Sequence, residues 1–414
     1  NLRTKMGLCP DDFALLFVGA LLRDKGVYEL VKALELIVSA HPGARLVFVG
    51  RGPERAGLEQ AVASLGMADK VIFVGEVDHD EVPGYMAAAD VFVLSSRHEG
   101  WGRVIAEAMA MALPTVASNV GGISGVLIDG ETGLLLQSNS AEEMCEAVGR
   151  LIDDPALRRR LGERGLEVAK REWPFKKQAD ELVRLHMNVM KDHNQPMNIC
   201  FIGKHPLRPQ LTDNRLDAPI FLHFAKTFDR VFLIFESADG KDHHTQHQNV
   251  EVFLVGGTRG FLGPARFPMR AFFLGRRLHR RHGIDVVTSS EPFGSGLAAI
   301  LLRRLVGIPF VFQIQGQLLN LPAGSYIPLR RWVTRQVTRI VAVNAQIIRC
   351  VSNEIRDTAI RSGISERKLR LVGNRIDFER FNHAESGEAR ENLRTKMGLC
   401  PDDFALLFAG ALLR

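Results

Sequence analysis

Cysteine is scarce in this sequence, and the few cysteines present are not paired. The 414 residues hold five of them, none in a CxxC spacing. A disulfide framework and a zinc site are therefore not expected. The chain also has no apolar run near the ~18 to 20 residues that span a bilayer, and no visible signal peptide or anchor. These absences predict a protein of the reducing cytoplasm.

Two ligand-binding patterns are missing as well. No strand-like run is followed by GxGxxG, which argues against a nicotinamide dehydrogenase. No group of His, Cys, Asp or Glu has the spacing of metal ligands, so neither a bound metal nor a cofactor is expected.

Acidic residues are sparse in only one half of the chain. Residues 197–391 carry 28 Lys and Arg against 17 Asp and Glu, whereas residues 1–192 carry 22 against 28. A basic half favours contact with an anionic lipid surface or a phosphate-bearing acceptor, and the acidic half argues against nucleic acid binding along the whole molecule. A solvated basic surface without a partner is the open alternative.

One terminal segment occurs twice. Residues 1–23 recur as residues 392–414, and the only change is Val18 to Ala409. Because the copy contains a single strand-forming run, it is not a solenoid repeat, and only one copy is expected to fill a given place in a sheet. The other copy would hang free or pair with a second molecule as a domain-swapped dimer.

A polar joint at residues 191–196 precedes Met197, which opens an apolar run typical of a first buried strand. The usual domain order would then be 197–391 followed by 1–192. The chain is accordingly interpreted as a circular permutant or as a fragment across the junction of two tandem gene copies. An assembly artefact is the third interpretation.

Short apolar runs alternate with helical stretches in both halves, and 414 residues suit two domains. The runs lie at 13–19, 45–50, 70–75, 90–96, 197–203, 230–235, 250–257, 284–290, 308–316 and 339–345. They are continuously apolar, as are strands buried on both faces of a parallel sheet. The sequence therefore predicts an α/β fold with two Rossmann-like doubly wound domains, 1–192 and 197–391, and a ligand site in the cleft between them.

The most informative stretch is RHEGWGRVIAEAMAM at residues 97–111. It places Glu99 and Glu107 on either side of a glycine turn that opens a helix. Gly100 and Gly102 allow a ligand to approach the backbone, and the first amides and the dipole of the helix favour an anionic group. The two carboxylates can accept hydrogen bonds from sugar and ribose hydroxyls. On spacing alone, an ordinary exposed helix entry would be the simpler interpretation.

This stretch resembles the E-x7-E signature of retaining glycosyltransferases with the GT-B fold, of the group 1 or family 4 type. That family includes many cell-surface polysaccharide and glycolipid enzymes, and the resemblance extends along most of the chain. It implies the GT-B architecture, in which two Rossmann-like domains face a cleft. Residues 1–192 would be the donor domain and residues 197–391 the acceptor domain.

The resemblance implies a role for each matching residue. Glu99 would contact the donor sugar, and Lys25 matches the family's lysine at the diphosphate. Arg23 is the candidate substitute for the family's arginine after the glycine, because this chain has Ala20 there. The predicted catalytic residues are therefore Glu99, Lys25 and Arg23. The predicted donor-binding residues are Gly19, Gly75, Val77, Gly100, Trp101, Gly102, Val104 and Glu107, and Glu107 would hold the ribose.

The acceptor half departs further from the family pattern. Gln315 stands where many members carry a histidine, and it can hydrogen-bond a sugar but cannot act as an acid or base near neutral pH. Lys204 and His205 lie in the loop expected after the first strand, where a structural role for His205 is the alternative. These three are the predicted acceptor residues. Residues 261–283 combine Phe and Met with Arg and predict a basic amphipathic segment on an anionic membrane, or a core helix with a basic face.

Together these features predict a glycosyltransferase that moves a sugar from a nucleoside-diphosphate donor to a hydroxyl of a glycan or lipid-linked acceptor. The resemblance implies retained anomeric configuration, no metal, and a role in cell-surface polysaccharide or glycolipid synthesis. The location would be the cytoplasm or the inner membrane face. A nucleotide-sugar epimerase and a catalytically incomplete nucleotide-sugar-binding protein are the alternatives.

Overall fold

The computed structural model describes residues 13–77, 79, 81–190, 197–207, 219–256, 263–316, 318–319, 328–376, 378 and 405–409. The chain divides into two compact units. The first unit combines Asn1–Phe175 with Asn374–Arg414, and the second is Lys176–Gly373. The chain therefore crosses from the first unit to the second and back again.

Strands and helices alternate through the first unit, as the sequence predicts. Its strands are β1 (Phe13–Val18), β2 (Ala44–Val49), β3 (Val71–Gly75), β4 (Val91–Leu94), β5 (Thr115–Ser118), β6 (Leu134–Leu136) and β15 (Ala405–Ala409). Its helices are α1 (Val27–Ala40), α2 (Arg55–Ser64), α3 (Val82–Ala88), α4 (Arg103–Ala110), α5 (Ala141–Asp153) and α6 (Pro155–Glu172). Short 3-10 turns lie at Arg23–Lys25 and Gly121–Gly125.

The strands of the first unit form one parallel sheet in the order β3-β2-β1-β15-β4-β5-β6. Every residue of β2, β4 and β5 is buried. Burial of both faces explains why these strands read as continuous apolar runs instead of alternating ones.

Both copies of the duplicated segment form a strand in this sheet. Strands β1 and β15 pair in parallel and in equal register, with Leu15 opposite Leu406. Leu16 of β1 and the equivalent Leu407 of β15 are both registered to Phe92 of β4. The two copies therefore meet the same backbone edge of β4.

The second unit repeats the α/β pattern. Its strands are β7 (Asn198–Leu207), β8 (Arg230–Ser237), β9 (His243–His247), β10 (Val250–Val255), β11 (Val286–Ser289), β12 (Phe310–Ile314), β13 (Ile347–Cys350) and β14 (Leu369–Leu371). Its helices are α7 (Phe175–Met187), α8 (Pro219–Ala225), α9 (Gly263–His282), α10 (Leu297–Val306), α11 (Pro328–Asn344) and α12 (Asn353–Arg361).

The second sheet has the order β14-β13-β12-β11-β7-β8-β10-β9 and is parallel except at β9, which runs antiparallel to β10. The order reverses direction at β7, as in a doubly wound sheet. The two parallel sheets, each with crossover helices, confirm the predicted fold class of two Rossmann-like units.

Helix α7 packs with the second unit, which begins at Lys176. The imidazole of His186 on α7 is fully buried, with its Nε2 against the hydroxyl of Thr288 in β11. Asp180 of the same helix pairs with His223 of α8 at 2.8 Å. The assignment of donor and acceptor roles to the two halves stays a prediction.

The strand predicted at 339–345 is wrong, because these residues end helix α11 and the strand β13 follows at Ile347–Cys350. Thr334, Thr338 and Val341 are buried on one side of α11, at spacings of four and three residues. Helical periodicity over seventeen residues therefore outweighs the β-branched run at its end.

Candidate functional site

The candidate site lies where two strands of the first unit end. Strands β1 and β4 are parallel, so their carboxyl ends lie at the same edge of the sheet. The loop after β1 carries Lys25 in its 3-10 turn, and the loop after β4 carries Glu99. The topology thus brings together two residues that are 74 positions apart in the sequence.

Backbone contacts hold these two loops together. The amide N–H of Arg97 donates to the carbonyl oxygen of Asp24 at 2.8 Å. The hydroxyl of Ser95 donates toward the carbonyl oxygens of Lys25 and Gly26, at 3.0 and 2.9 Å. Gly26 has a φ of +66°, and a Cβ there would lie 1.9 Å from the carbonyl oxygen of Ser95. Glycine at this position is what allows so close an approach.

Lys25 and Glu99 form an ion pair at this junction. The Lys25 Nζ lies 2.8 Å from Glu99 Oε2, and the two side chains are only 11% and 19% exposed. Lys25 stands just before helix α1, where a cation opposes the helix dipole unless an anion accompanies it. Glu99 supplies that anion, and the ammonium keeps further donors for an anionic ligand.

The turn after Glu99 opens helix α4. Gly102 is the N-cap residue and has a φ of +84°, a left-handed conformation that favours glycine. The carbonyl oxygen of Glu99 accepts a hydrogen bond from the amide of Gly122 at 3.1 Å, which fixes the start of the turn. Helix α4 begins at Arg103, four residues after Glu99, and the first amides and the positive dipole end of a helix favour an anionic group at that end.

Glu107 is buried on helix α4 and contacts two basic side chains. Its Oε1 lies 2.9 Å from Arg103 Nε and 3.7 Å from His79 Nε2. Arg103 is a partner that the spacing of four residues on a helix could have predicted. His79 was missed, because it lies in the loop after β3, far from Glu107 in the sequence, and no local spacing links the two residues.

Ser96 has a fully buried hydroxyl for which no hydrogen-bond partner is present among the described residues. It lies between Ser95, which binds the Lys25 loop, and Arg97, which binds Asp24. A buried hydroxyl without a partner is costly. No sequence pattern pointed to this residue.

Two predicted site residues have side chains engaged in other contacts. Arg23 is 77% exposed, pairs with Glu54 at 3.3 Å and lies over the ring of Tyr28. Burial, and then the hydrogen bond to Glu54, raise the pKa of the Tyr28 hydroxyl. Trp101 is buried with its ring edge-on to Trp173, at 5.4 Å between centroids. Any contact of Trp101 with a ligand is therefore limited to its backbone.

The remaining predicted donor-binding residues are backbone positions near the same sheet edge. Gly19 directly follows β1, and its amide donates to the carbonyl of Val49. Gly75 ends β3 with a φ of +92°, and its carbonyl accepts from the amide of Gly50 at 2.6 Å. Val77 follows in the next loop, and Val104 lies in the first turn of α4. Their roles stay predictions.

The predicted acceptor residues belong to the second unit. Lys204 and His205 lie in strand β7, which runs to Leu207, so the expected loop there is wrong. Their side chains lie outside the described residues. Gln315 is exposed after β12, with its Nε2 3.4 Å from Gln313 Oε1.

The described part of the chain holds no group of three or more His, Cys, Asp or Glu arranged as metal ligands. Among the same residues, no helix is both long and apolar enough to cross a membrane.

Two family models match the chain. Residues 1–168 match the model described as glycosyl transferases group 1, and residues 222–375 match the glycosyl transferase 4-like domain. Each half is thus similar to a glycosyltransferase domain. The Lys25–Glu99 site lies in the residues that match the group 1 model, and helices α9 to α11 lie in the residues that match the 4-like model.

Two curated relatives are each similar to less than half of this chain. An alpha-D-kanosaminyltransferase of Streptomyces kanamyceticus is 32% identical over 189 residues, which are 46% of this chain and 49% of that protein. The lipopolysaccharide core biosynthesis glycosyltransferase LpsE of Rhizobium meliloti is 35% identical over 166 residues, 40% of this chain and 47% of that protein. The chain thus spans about half the length of these relatives.

Solved structures with similarity to this chain cover a comparable share. HepE of Anabaena in complex with UDP is 27% identical with a TM-score of 0.38, covering 41% of this chain and 47% of that one. Sucrose-phosphate synthase of Thermosynechococcus elongatus is 33% identical with a TM-score of 0.41, covering 45% and 48%.

Proposed function

We propose that this protein transfers a sugar from a nucleoside-diphosphate donor to an acceptor hydroxyl. The observation that carries the proposal is the Lys25–Glu99 pair beside the first turn of α4, inside a group 1 glycosyltransferase domain. A cation, helix amides and a carboxylate at one sheet edge suit a ligand that carries both diphosphate and hydroxyl groups.

The chemistry follows from where charge develops. When the bond between the sugar and the diphosphate breaks, negative charge grows on the leaving phosphate oxygen. The ammonium of Lys25 and the amides at the start of α4 stabilise that charge. Glu99 is tied to Lys25, so its role is to position the sugar hydroxyls and not to act as a nucleophile.

The finer parts of the proposal concern stereochemistry, the acceptor and the setting. Without a nucleophilic carboxylate, we propose that the donor phosphate oxygen assists removal of the acceptor proton on the same face, which retains the anomeric configuration without a metal. The acceptor is proposed to be a glycan or lipid-linked sugar of a cell-surface polysaccharide, and the similarity to LpsE supports this. Free thiols at Cys145, Cys200 and Cys350 support a reducing, cytoplasmic setting.

A panel of nucleotide sugars, scored for released nucleoside diphosphate, tests the activity. Lys25→Ala is expected to lower turnover about a hundredfold, because one group that stabilises the leaving charge is lost. Glu99→Gln is expected to lower it by about the same factor, because a misplaced sugar reacts more slowly. Glu163→Gln and Lys170→Ala on the exposed side of α6 are the matched controls and should leave turnover unchanged. A chelator should also leave it unchanged.

The same panel separates the alternatives. An epimerase would convert the donor without releasing nucleoside diphosphate, and a binding protein would do neither. Equal turnover by wild type, Glu99→Gln and Lys25→Ala would show that the residue assignments are wrong.

A further inference from the structure

Three consecutive helices of the second unit contain no acidic residue. Helix α9 carries six arginines, α10 two and α11 four, and none of the three contains Asp or Glu. Between Glu291 and Glu354 the sequence contains no Asp or Glu at all, and this stretch includes α10 and α11. So long a segment with arginine alone as its charged residue is not needed for a solvated surface, which normally mixes both signs.

The three helices form one layer over the sheet. They connect β10 to β11, β11 to β12 and β12 to β13, three crossovers that move along the sheet in the same direction. Right-handed crossovers that move in one direction place their helices on the same face. The Nε of Arg304 on α10 donates to Oδ1 of Asn344 on α11 at 3.1 Å, so these neighbours are in contact.

Exposed apolar side chains are interspersed with the arginines on the outer side of this layer. Phe273 on α9 is 57% exposed, Leu305 on α10 is 68% exposed and Trp332 on α11 is 61% exposed. The exposed residues of α9 recur at helical spacing along one stripe, and those of α11 do the same. The stripes include Met269, Arg270, Phe273, Arg277, Arg280 and Arg281 on α9, and Leu329, Trp332, Arg335, Arg339, Ile340 and Val343 on α11. Of these arginines, Arg270 pairs with Asp242.

Across the described ranges, no carboxylate pairs with Arg277, Arg280, Arg281, Arg335 or Arg339. A surface of this kind repels a second copy of itself. The phosphates of a polynucleotide would pair with the arginines but would leave the exposed aliphatic and indole side chains without an apolar partner. An anionic bilayer offers phosphates for the guanidinium groups and acyl chains for the apolar side chains.

We propose that helices α9, α10 and α11 form a docking surface for an anionic lipid bilayer. The sequence indicates a membrane contact only for residues 261–283, and the structure extends it to α10 and α11, with Trp332 as the apolar anchor. The helices lie on the bilayer and do not cross it. The proposal stands apart from the transfer activity, because binding is measured without donor or acceptor.

Vesicle sedimentation tests the surface directly. The protein is expected to sediment with vesicles of phosphatidylcholine and phosphatidylglycerol, not with phosphatidylcholine alone, and binding should weaken with salt. Each arginine near an anionic membrane contributes about fivefold in affinity. Arg335→Glu with Arg339→Glu should therefore lower binding at least about tenfold. Arg159→Glu with Arg160→Glu, exposed on α6, makes the same charge change in the first unit and should not.

Tryptophan emission gives a second readout. The chain has three tryptophans, and Trp101 and Trp173 are buried, so a blue shift on binding vesicles reports Trp332. Trp332→Phe should still bind but lose the shift. If the α11 variant fails to fold by circular dichroism, Arg277→Glu with Arg281→Glu on α9 replaces it.

Three outcomes would overturn the proposal. These are no binding to anionic vesicles, binding that the arginine variants retain, and binding to a polyuridine RNA that competes with vesicles while the Trp332 emission stays unchanged.

Discussion

Glu107 is a buried carboxylate in contact with Arg103 and close to His79, an arrangement that holds its oxygens in one place. If those oxygens accept the ribose hydroxyls, Glu107→Gln replaces one acceptor oxygen by a donor. The variant should bind UDP or GDP about tenfold to a hundredfold more weakly, because a hydrogen bond to a charged group contributes about 1.5–3 kcal/mol. Isothermal titration calorimetry measures this.

A deoxyribose nucleotide makes the test specific to the ribose. Wild type should lose affinity for the 2′-deoxy or the 3′-deoxy diphosphate, and Glu107→Gln should lose much less, because the partner is already gone. Glu131→Gln, an exposed carboxylate paired with Arg164, is the control. Equal losses in wild type and Glu107→Gln would place the ribose elsewhere.

At the scale of single residues, the sequence indicated the candidate site residues but not the other side chains that those residues contact. The glycine turn and its two glutamates follow from local spacing, so Glu99 and Glu107 could be chosen without a structure. Arg23 could not be judged in the same way, because its partner Glu54 lies 31 residues away. The contact between His79 and Glu107 likewise joins residues that are far apart in the sequence.

Two loops depend on Gly26 for their close approach. An alanine there would combine a left-handed backbone with a Cβ placed 1.9 Å from the carbonyl oxygen of Ser95. Gly26→Ala should therefore lower the free energy of unfolding by about 2–4 kcal/mol. It should also weaken nucleotide diphosphate binding, because Lys25 moves. Urea unfolding and calorimetry measure the two effects.

Gly66 supplies the matched control for this substitution. Its φ of +68° is close to that of Gly26, but a Cβ there meets nothing within 4 Å. Gly66→Ala should cost only about 1 kcal/mol and leave nucleotide binding intact. Similar costs for the two alanine variants would show that the loops tolerate separation.

Helix α7 is attached to the second sheet through a neutral histidine. Burial, the main cause, lowers the pKa of His186 from its ordinary 6.5 to about 4. Between these pH values the unfolded chain binds a proton that the folded chain excludes, so stability falls as the pH is lowered. At pH 5 the second unit should be about 2 kcal/mol less stable than at pH 7 from this group alone.

Urea unfolding of wild type and His186→Gln at the two pH values isolates this effect, because other titrating groups contribute equally to both proteins. His247→Gln, an exposed histidine on β9, should behave like wild type. A pH dependence that His186→Gln retains in full would contradict the buried neutral imidazole.

At the scale of elements, continuous apolar runs predicted most of the strands, because burial on both sheet faces leaves a strong local signal. The run at 339–345 failed because a short β-branched run looks the same at the end of a helix as in a strand. Strand β9 was missed for the opposite reason. It is a polar, largely exposed edge strand, formed by pairing with β10 and not by burial.

At the scale of the whole molecule, local sequence does not distinguish the two copies of the duplicated segment, because they differ only at Val18 and Ala409. In the structure both copies are registered to Phe92 of β4. With β1 and β15 both in the sheet, amides in 13–18 and 405–409 should exchange slowly with solvent. Fast exchange in one copy alone would restore the single-place interpretation, and concentration-dependent protection would favour a swapped dimer.

The first unit is proposed to bind a nucleoside diphosphate between Lys25, the start of α4 and Glu107. A crystal structure of the protein soaked with UDP or GDP tests it most directly. The account predicts the terminal phosphate within hydrogen-bonding reach of Lys25 Nζ and the α4 amides, and the ribose on Glu107. A nucleotide bound away from Lys25 and Glu107 would contradict it.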